Sequence, residues 1–407
     1  MEFRMSDEQK AFERVVREYC QKNIEPRSRE IDEAEAGIPE DMIKGLADIG
    51  VFGCTIPEEY GGSAPPGEEM QYASIAIREI ARAELSVSLP VYTLLTIGWG
   101  GQFLKLYARE ELKKEILPKL ASGEWFWGVC VTEPGGGSDV AAIKSTATKK
   151  DGKFRINGEK AYISGVTESQ VRGGGHCGLF YTDRARGIKG GMTLMALIPN
   201  MLNGVTTTTY KEMGRVGLSS GGFFYSGTEV PERYVLGEEG KGFYYCMEGF
   251  NIARALVASA CLGTAEKCLE MSVDYVRQRM AFGQPIGKFE GISFQMAEDY
   301  TRLEMLKLLL QKGCWMIDKH YSEPSSVAQK DINVVIAQCK WMAPLIAVEV
   351  AQHAIMWHGA FGYTRECSLE MALRGLMSYV AGAEGATNIM KLIVVRDAFG
   401  SDMVATR

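Results

Sequence analysis

The sequence predicts an α+β chain in three parts: an N-terminal helical domain over residues 1–126, a central antiparallel β-domain over 127–237 and a C-terminal helical bundle over 238–407. Three observations predict it. Apolar residues recur at helical spacing before about Trp127 and again after Gly240. Between those points lie short runs rich in β-branched and aromatic residues, each bounded by glycine. No stretch of roughly 10–15 helical residues separates the runs, as a parallel doubly wound sheet would require.

The elements follow in order. Ser6-Asp7-Glu8-Gln9 offers a helix-capping start, with Phe12, Val15, Val16 and Tyr19 behind it at helical spacing. Pro26, Gly37-Ile38-Pro39 and the glycine- and proline-rich stretch 61–67 break the first part into segments, and Glu69 to Ala83 and Glu110 to Leu120 read as amphipathic helices. The strand runs are 128–132, 153–158, 161–164, 178–182, 192–198, 205–210 and 223–230; Pro231 and Gly237 close the section. Long periodic stretches at 243–281, 290–320, 331–357 and 367–379, joined by short breaks, predict the bundle.

Composition excludes several function classes. The 407 residues are 46% hydrophobic with a net charge of −6, so a large core is available and a basic nucleic-acid footprint is not. No window reaches about 18 uninterrupted apolar residues, and the first residues show no apolar signal core; the expectation is a cytoplasmic protein outside the membrane. Ten scattered cysteines form no Cys-x-x-Cys pair and read as buried reduced thiols. His353 and His358 are five apart, which gives no helical metal pair, and no metal is expected.

Three segments carry candidate chemistry. In Val129-Cys130-Val131-Thr132-Glu133-Pro134-Gly135-Gly136-Gly137-Ser138-Asp139-Val140 a β-run ends in a glycine loop. Such a loop either brings backbone close to a flat or phosphorylated ligand or simply turns the chain. In Arg277-Gln278-Arg279-Met280-Ala281-Phe282-Gly283 the arginines close a long helix, compensating its dipole or clamping a pyrophosphate. In Gly382-Ala383-Glu384-Gly385-Ala386-Thr387-Asn388-Ile389-Met390 a carboxylate stands among small residues. It is either a solvated loop acid or one with room for a planar ligand, and Thr387 is placed to cap the following helix.

Together these segments resemble the acyl-CoA dehydrogenase family over nearly the whole chain. Ile56-Pro57-Glu58-Glu59-Tyr60-Gly61-Gly62, Phe154-Arg155-Ile156-Asn157-Gly158-Glu159-Lys160, Gly362-Tyr363-Thr364-Arg365-Glu366 and Arg396-Asp397-Ala398-Phe399-Gly400 extend the likeness. The resemblance implies FAD between the β-domain and the C-terminal helices. Val131, Thr132, Gly137, Ser138, Tyr162, Ser164, Thr387 and Asn388 would then contact the flavin, with Ser164 near N5. Arg279, Phe282 and Gly359 would reach the cofactor of a neighbouring subunit in a dimer or tetramer. Glu384 matches the family's base, which takes an α-proton while a β-hydride passes to the flavin. The Glu384 amide and a ribityl hydroxyl would polarise the thioester carbonyl. Ser138, Tyr92, Leu95, Asn251, Arg254 and Gly385 match substrate-side positions, Asn251 and Arg254 lying in the segment that meets CoA and Trp99 near the acyl pocket. Electron-transferring flavoprotein is the implied acceptor.

The chain departs from the family pattern at several points. Ala253 occupies the position where one subgroup places its base, which leaves Glu384 alone in that role. Glu290 replaces a glutamine, Met356-Trp357-His358-Gly359-Ala360 replaces Gln-x-x-Gly-Gly, Ala383 a tyrosine and Ala386 a threonine, and the approach to Glu384 is one residue longer. The arginine of glutaryl-specific members has no counterpart in Ser88 to Pro90. These changes point to a cyclic, branched or aryl-substituted acyl-CoA, as in degradation of aromatic or fatty acids. The rival readings are an acyl-CoA oxidase that uses oxygen and a non-catalytic flavin-binding relative that binds DNA. The second would need a basic C-terminal region, and 362–407 mixes acids and bases.

Overall fold

A computed structural model of the chain describes residues 4–33 and 37–405. Residues 1–3, which open the stretch read for a signal core, and 406–407, which end the stretch read for a basic run, lie outside the described residues.

The first part is helical: α1 (Asp7–Asn23), α2 (Ser28–Glu33), α3 (Glu40–Asp48), α4 (Glu69–Ala83), α5 (Ser88–Leu95), α6 (Phe103–Tyr107) and α7 (Glu110–Ala121). The capping box at Ser6 forms as expected, with Ser6 and Gln9 exchanging backbone-to-side-chain bonds of 3.1 and 3.2 Å. Helix α4 has no cap of its own. Asp318, from the far end of the chain, accepts from the Met70 and Gln71 amides at 2.8 and 3.2 Å and satisfies that terminus instead. Helices α5 and α6 are joined by a π-helical stretch, Thr96–Gln102, so residues 88–107 form one rod with a widened turn. Such turns are frequent at functional sites because they re-aim side chains. Here the widened turn carries Trp99, and its neighbour Gly101 leaves no room for a larger residue, since a Cβ there would lie 2.2 Å from Thr55 Oγ1.

The middle part is one eight-stranded sheet: β1 (Phe126–Cys130), β2 (Thr146–Lys150), β3 (Lys153–Ser164), β4 (Gly174–Tyr181), β5 (Met192–Leu197), β6 (Val205–Tyr210), β7 (Ser220–Pro231) and β8 (Val235–Leu236). Two short helices, α8 (Val166–Val171) and α9 (Gly187–Gly190), sit in its connections. The order is β6-β7-β3-β2-β4-β5-β8, with β1 also on β4. Neighbours along this order are antiparallel except at β4, which runs parallel to both β1 and β2, so the sheet is mixed rather than wholly antiparallel. A parallel pair needs a crossover between its strands, and the β2–β3 hairpin with α8 supplies it between β1 and β4. Strand β2 was not foreseen because Thr146-Ala147-Thr148-Lys149-Lys150 is mostly polar and its last three residues are exposed. Strand β3 runs through the glycine that divides its two expected halves.

The last part holds α10 (Gly242–Gln278), α11 (Glu290–Ser322), α12 (Gln329–His358), α13 (Leu369–Ala381) and α14 (Thr387–Val394). Helix α10 is its axis: it packs on α4 on one side and on α12 on the other, and residues 251–265 are buried without interruption. Among the described residues α12 alone is long and apolar enough to cross a membrane, with a mean hydropathy of 1.5 over 18 residues. Most of that window is buried inside the bundle, which marks a core helix. All ten cysteines are free and buried. Among the described residues no group of three or more histidines, cysteines or acids could hold a metal.

Candidate active site

Helix α13 ends at Ala381, and the five residues before α14 form a turn around Glu384. Glu384 has φ +57°, a conformation that side-chain-bearing residues avoid. Gly385 follows at φ +115°, where a Cβ would stand 2.8 Å from Met390 Cε. Two buried cations hold the turn. Arg254 Nε donates to the Glu384 carbonyl at 2.8 Å, and Lys340 Nζ donates to the Gly385 carbonyl at 3.2 Å and to the Tyr379 carbonyl at 3.0 Å. The Gly385 amide is taken by the Gly382 carbonyl at 3.0 Å. Strained backbone persists only where its surroundings over-determine it, and here consecutive carbonyls are gripped separately.

The carboxylate itself is left available. Glu384 as a residue is half-buried, yet its Oε2 is out of solvent and has no hydrogen-bond partner. Burial is the dominant influence and pushes the carboxyl up to about 7; Arg254, Lys340 and the Trp99 indole pull the other way. The Trp99 N–H is also without a bonded partner, so it acts on Glu384 as a nearby dipole rather than through an aligned hydrogen bond. Burial drives Lys340 down to about 8 and Arg254 down to about 10. An unpartnered carboxylate titrating near neutrality is suited to accept a weakly acidic proton.

Behind the turn, Arg254 Nη1 donates to Asn251 Oδ1 at 3.0 Å, Asn251 Nδ2 to Asn333 Oδ1 at 2.7 Å, and Asn333 Nδ2 to Asp397 at 3.1 Å. Asn251 and Arg254 are therefore buried supports of Glu384. Ala253 lies in the core of α10, and Glu290 is the exposed first residue of α11.

The glycine loop is anchored from the β3 side. Lys160 Nζ, fully buried, donates to the Val131 carbonyl and to Glu133 Oε1, both at 3.0 Å, while the Ala161 amide donates to the Thr132 carbonyl at 2.9 Å. The Glu133 carboxylate accepts further from the Lys144 and Ser145 amides. A Cβ at Gly135 or Gly136 would meet nothing within 4 Å, and Gly137 and Ser138 are exposed. Nearby on β3, Tyr162 is 68% exposed at φ +58°, its ring 5.2 Å from that of Tyr210, and Ser164 Oγ accepts from Arg215 Nη1 at 2.8 Å. Large exposed rings held at a costly φ are unusual in a packed sheet.

A third cluster lies at one end of the bundle. Arg279 is the exposed residue that ends α10, and Phe282, 96% exposed at φ +49°, tips the hairpin after it. Gly359 ends α12, and a ring contact of 4.1 Å between Tyr275 and His358 joins the two helix ends. Tyr92 and Leu95 are core residues: Tyr92 packs on Phe52 and Phe126, and the cation nearest its ring is Arg172. Thr387 is not a cap. It is the first residue of α14, and Ala386 takes the cap position without a side-chain bond, because the helix begins two residues earlier than expected. Asn388 follows it, exposed.

Sequence reasoning missed Lys340, Arg215 and the orientation of Trp99. A signal existed for Lys340. Ile336, Lys340, Ala343 and Ala347 share helical spacing on the buried stripe of α12, and a lysine there needs a partner.

The chain matches the models of the acyl-CoA dehydrogenase N-terminal domain at 6–124, middle domain at 128–227 and C-terminal domain at 240–399. It is 33% identical over 399 residues to the mitochondrial isovaleryl-CoA dehydrogenase of Oryza sativa subsp. japonica, covering 97% of this chain and 91% of that one. It is 29% identical over 408 residues to the glutaryl-CoA dehydrogenase of Desulfococcus multivorans, covering 98% of each. The solved glutaryl-coenzyme A dehydrogenase–glutaryl-CoA complex superposes with a TM-score of 0.88 at 29% identity, over 98% of this chain and 96% of that one. The chain belongs to the acyl-CoA dehydrogenase family of oxidoreductases.

Proposed function

We propose that this chain removes an α-proton and a β-hydride from an acyl-CoA thioester, with Glu384 as the base. One observation carries the reading: a strained turn, gripped by Arg254 and Lys340, presents a buried carboxylate oxygen that has no protein partner. The family is FAD-dependent, and the residues here fit that cofactor. The glycine loop is open on its outer face, and the Tyr162 ring is exposed beside it. Val131, Thr132, Gly137, Ser138, Tyr162, Ser164, Thr387 and Asn388 would hold FAD, with Arg279, Phe282 and Gly359 serving a neighbouring subunit. When bound, FAD supplies the acceptor for the β-hydride. The protein supplies the rest: Glu384 takes the proton at Oε2, and its amide, which has no acceptor among the described residues, is free to polarise the thioester carbonyl.

Ala383 beside the base and the lengthened approach support a bulky acyl group, cyclic, branched or aryl-substituted. The isovaleryl-CoA dehydrogenase relative is named for a branched one. Ser138 and Gly385 would flank the substrate, and Asn251 and Arg254 act on it through the turn. Exposed apolar side chains on the last part, Phe282, Phe294, Met305, Met356 and Tyr363 among them, support assembly into a homo-oligomer. Electron-transferring flavoprotein is the proposed acceptor, and peroxide formation at the full turnover rate would reassign the enzyme as an oxidase.

The test is Glu384→Gln, which keeps volume and one carbonyl acceptor. Losing a positioned base costs about 10²–10⁴-fold. The variant should bind FAD and bleach it in anaerobic single turnover at least 100-fold (~10²) more slowly than wild type. Bleaching within a fewfold of wild type would assign the proton to another residue.

A further inference from the structure

The loop 211–219 is where the three parts of the chain meet. Its Gly217 amide donates to Ser88 Oγ of α5 at 3.2 Å, its Met213 carbonyl accepts from Arg374 of α13 at 3.3 Å, and its Ser219 carbonyl accepts from the Gly165 amide at 2.7 Å. Arg215 sits within it at φ +62°, only 7% exposed. Its guanidinium donates from Nη1 to Ser164 Oγ and from Nη2 to Glu212 Oε2, both at 2.8 Å, while Nε is buried with no partner. A buried, partly unpartnered arginine on strained backbone is costly to the fold, and such features cluster at functional sites.

The hydrogen bond to Ser164 has a directional consequence. Because Arg215 donates into Oγ, the Ser164 proton must point elsewhere, and the Ser164 carbonyl is already paired with His176 Nε2 at 3.0 Å. We propose that Arg215 is a positioning residue that aims the Ser164 hydroxyl toward the proposed flavin site and, with Glu212 as its moderating counter-ion, sets the reduction potential of a flavin bound there. This rests on the reading that FAD lies against Ser164. A cofactor that gains negative charge on reduction is favoured in its reduced form by a buried cation one hydrogen bond away. Glu212, partly open to solvent, offsets some of that charge.

The two partners therefore have opposite signs. In Arg215→Gln the cation is lost and Glu212 is left unopposed. The ratio of reduced to oxidised flavin at fixed potential should fall about tenfold, which for a two-electron couple is about 30 mV. Glu212→Gln should raise the same ratio, and Arg215→Lys should recover most of the loss. A merely structural role would not give opposite signs. The measurement is equilibration of the FAD-loaded protein with a reference dye. A flavin-bound Arg215→Gln protein with an unchanged ratio overturns the proposal, as does Glu212→Gln moving in the same direction. If Arg215→Gln does not fold, the sign of the Glu212→Gln shift decides. Wild-type protein that takes up no FAD overturns the flavin reading itself, and this proposal with it.

Discussion

Replacing Lys340 by methionine should move the pH profile of the reaction without removing its base. In the proposed reaction Glu384 must be ionised to take a proton, so the rate of flavin bleaching should rise with pH through a limb near 7, where burial sets its carboxyl. Lys340 bonds the Gly385 carbonyl, one residue from Glu384, and pulls the Glu384 carboxyl down. Two unit charges on the order of 7 Å apart at an effective dielectric of about 20 interact by about 2.4 kcal/mol, or ~1.7 pH units, which sets an upper scale for the effect. The half-open turn weakens this to about one unit. Methionine keeps the length of the stem and removes the charge, so the limb should rise from near 7 to about 8. By the titration relation, the ionised fraction at pH 7 then falls from about one half to about a tenth. The expected rate is about fivefold lower at pH 7 and close to wild type at pH 9. Anaerobic stopped-flow bleaching with one slow substrate across that range measures it. A limb that stays in place, or a loss equal at every pH, would refute the electrostatic role and leave Lys340 as a structural clamp.

Other outcomes follow from the same contacts. Asp318 is pushed up to about 7 by burial while its unfolded value stays near 4, so its contribution to stability is lost as pH rises between those values. Asp318→Asn should therefore destabilise the protein less at pH 8 than at pH 5, with about 2.6 kcal/mol as the ceiling on the difference; a constant gap between the two denaturation curves would contradict this. Arg279→Ala removes an exposed side chain, so the fold should hold while FAD is shed faster on gel filtration. Equal flavin retention by the two proteins would remove Arg279 from the cofactor site.

Much of the fold was legible because it rests on periodicity. Helix α4 runs from Glu69 to Ala83, and β6 from Val205 to Tyr210, where the pattern placed them. The parallel contacts of β4 were not legible, because pairing direction depends on which strand arrives from elsewhere in the chain. Glu384 was singled out by its small neighbours and given its proposed role by the family resemblance, yet nothing in Gly-Ala-Glu-Gly-Ala states that two cations from α10 and α12 would converge on it. Arg254 stands 130 residues before it in the chain and Lys340 stands 44 before it. Arg215 was invisible for a different reason. A left-handed φ at a non-glycine residue is imposed by tertiary contacts, and among the described residues seven such positions occur: Val87, Asp151, Tyr162, Arg215, Phe282, Ser325 and Glu384. Three of them are residues that the family resemblance had marked, and a fourth bonds Ser164. Strain and resemblance are independent, and they select overlapping positions.

The charges around the turn bear on the chemistry in a way that the pairwise contacts do not show. With all three groups ionised, Glu384, Arg254 and Lys340 sum to +1 in a half-buried turn. In the proposed step Glu384 accepts a proton and the sum becomes +2, at the moment when negative charge would develop on the acyl group. The trio therefore opposes protonation of the base in the resting protein and favours the charge that proton removal creates. Burial resists both effects, which is why Arg254 and Lys340 sit below their ordinary values and Glu384 above its own. With a single cation the sum would be 0 at rest and +1 after the transfer, half the charge that the pair presents to the substrate. Two cations of depressed basicity hold the base near neutrality and supply the larger charge. Pre-set charge of this kind costs no reorganisation during the reaction.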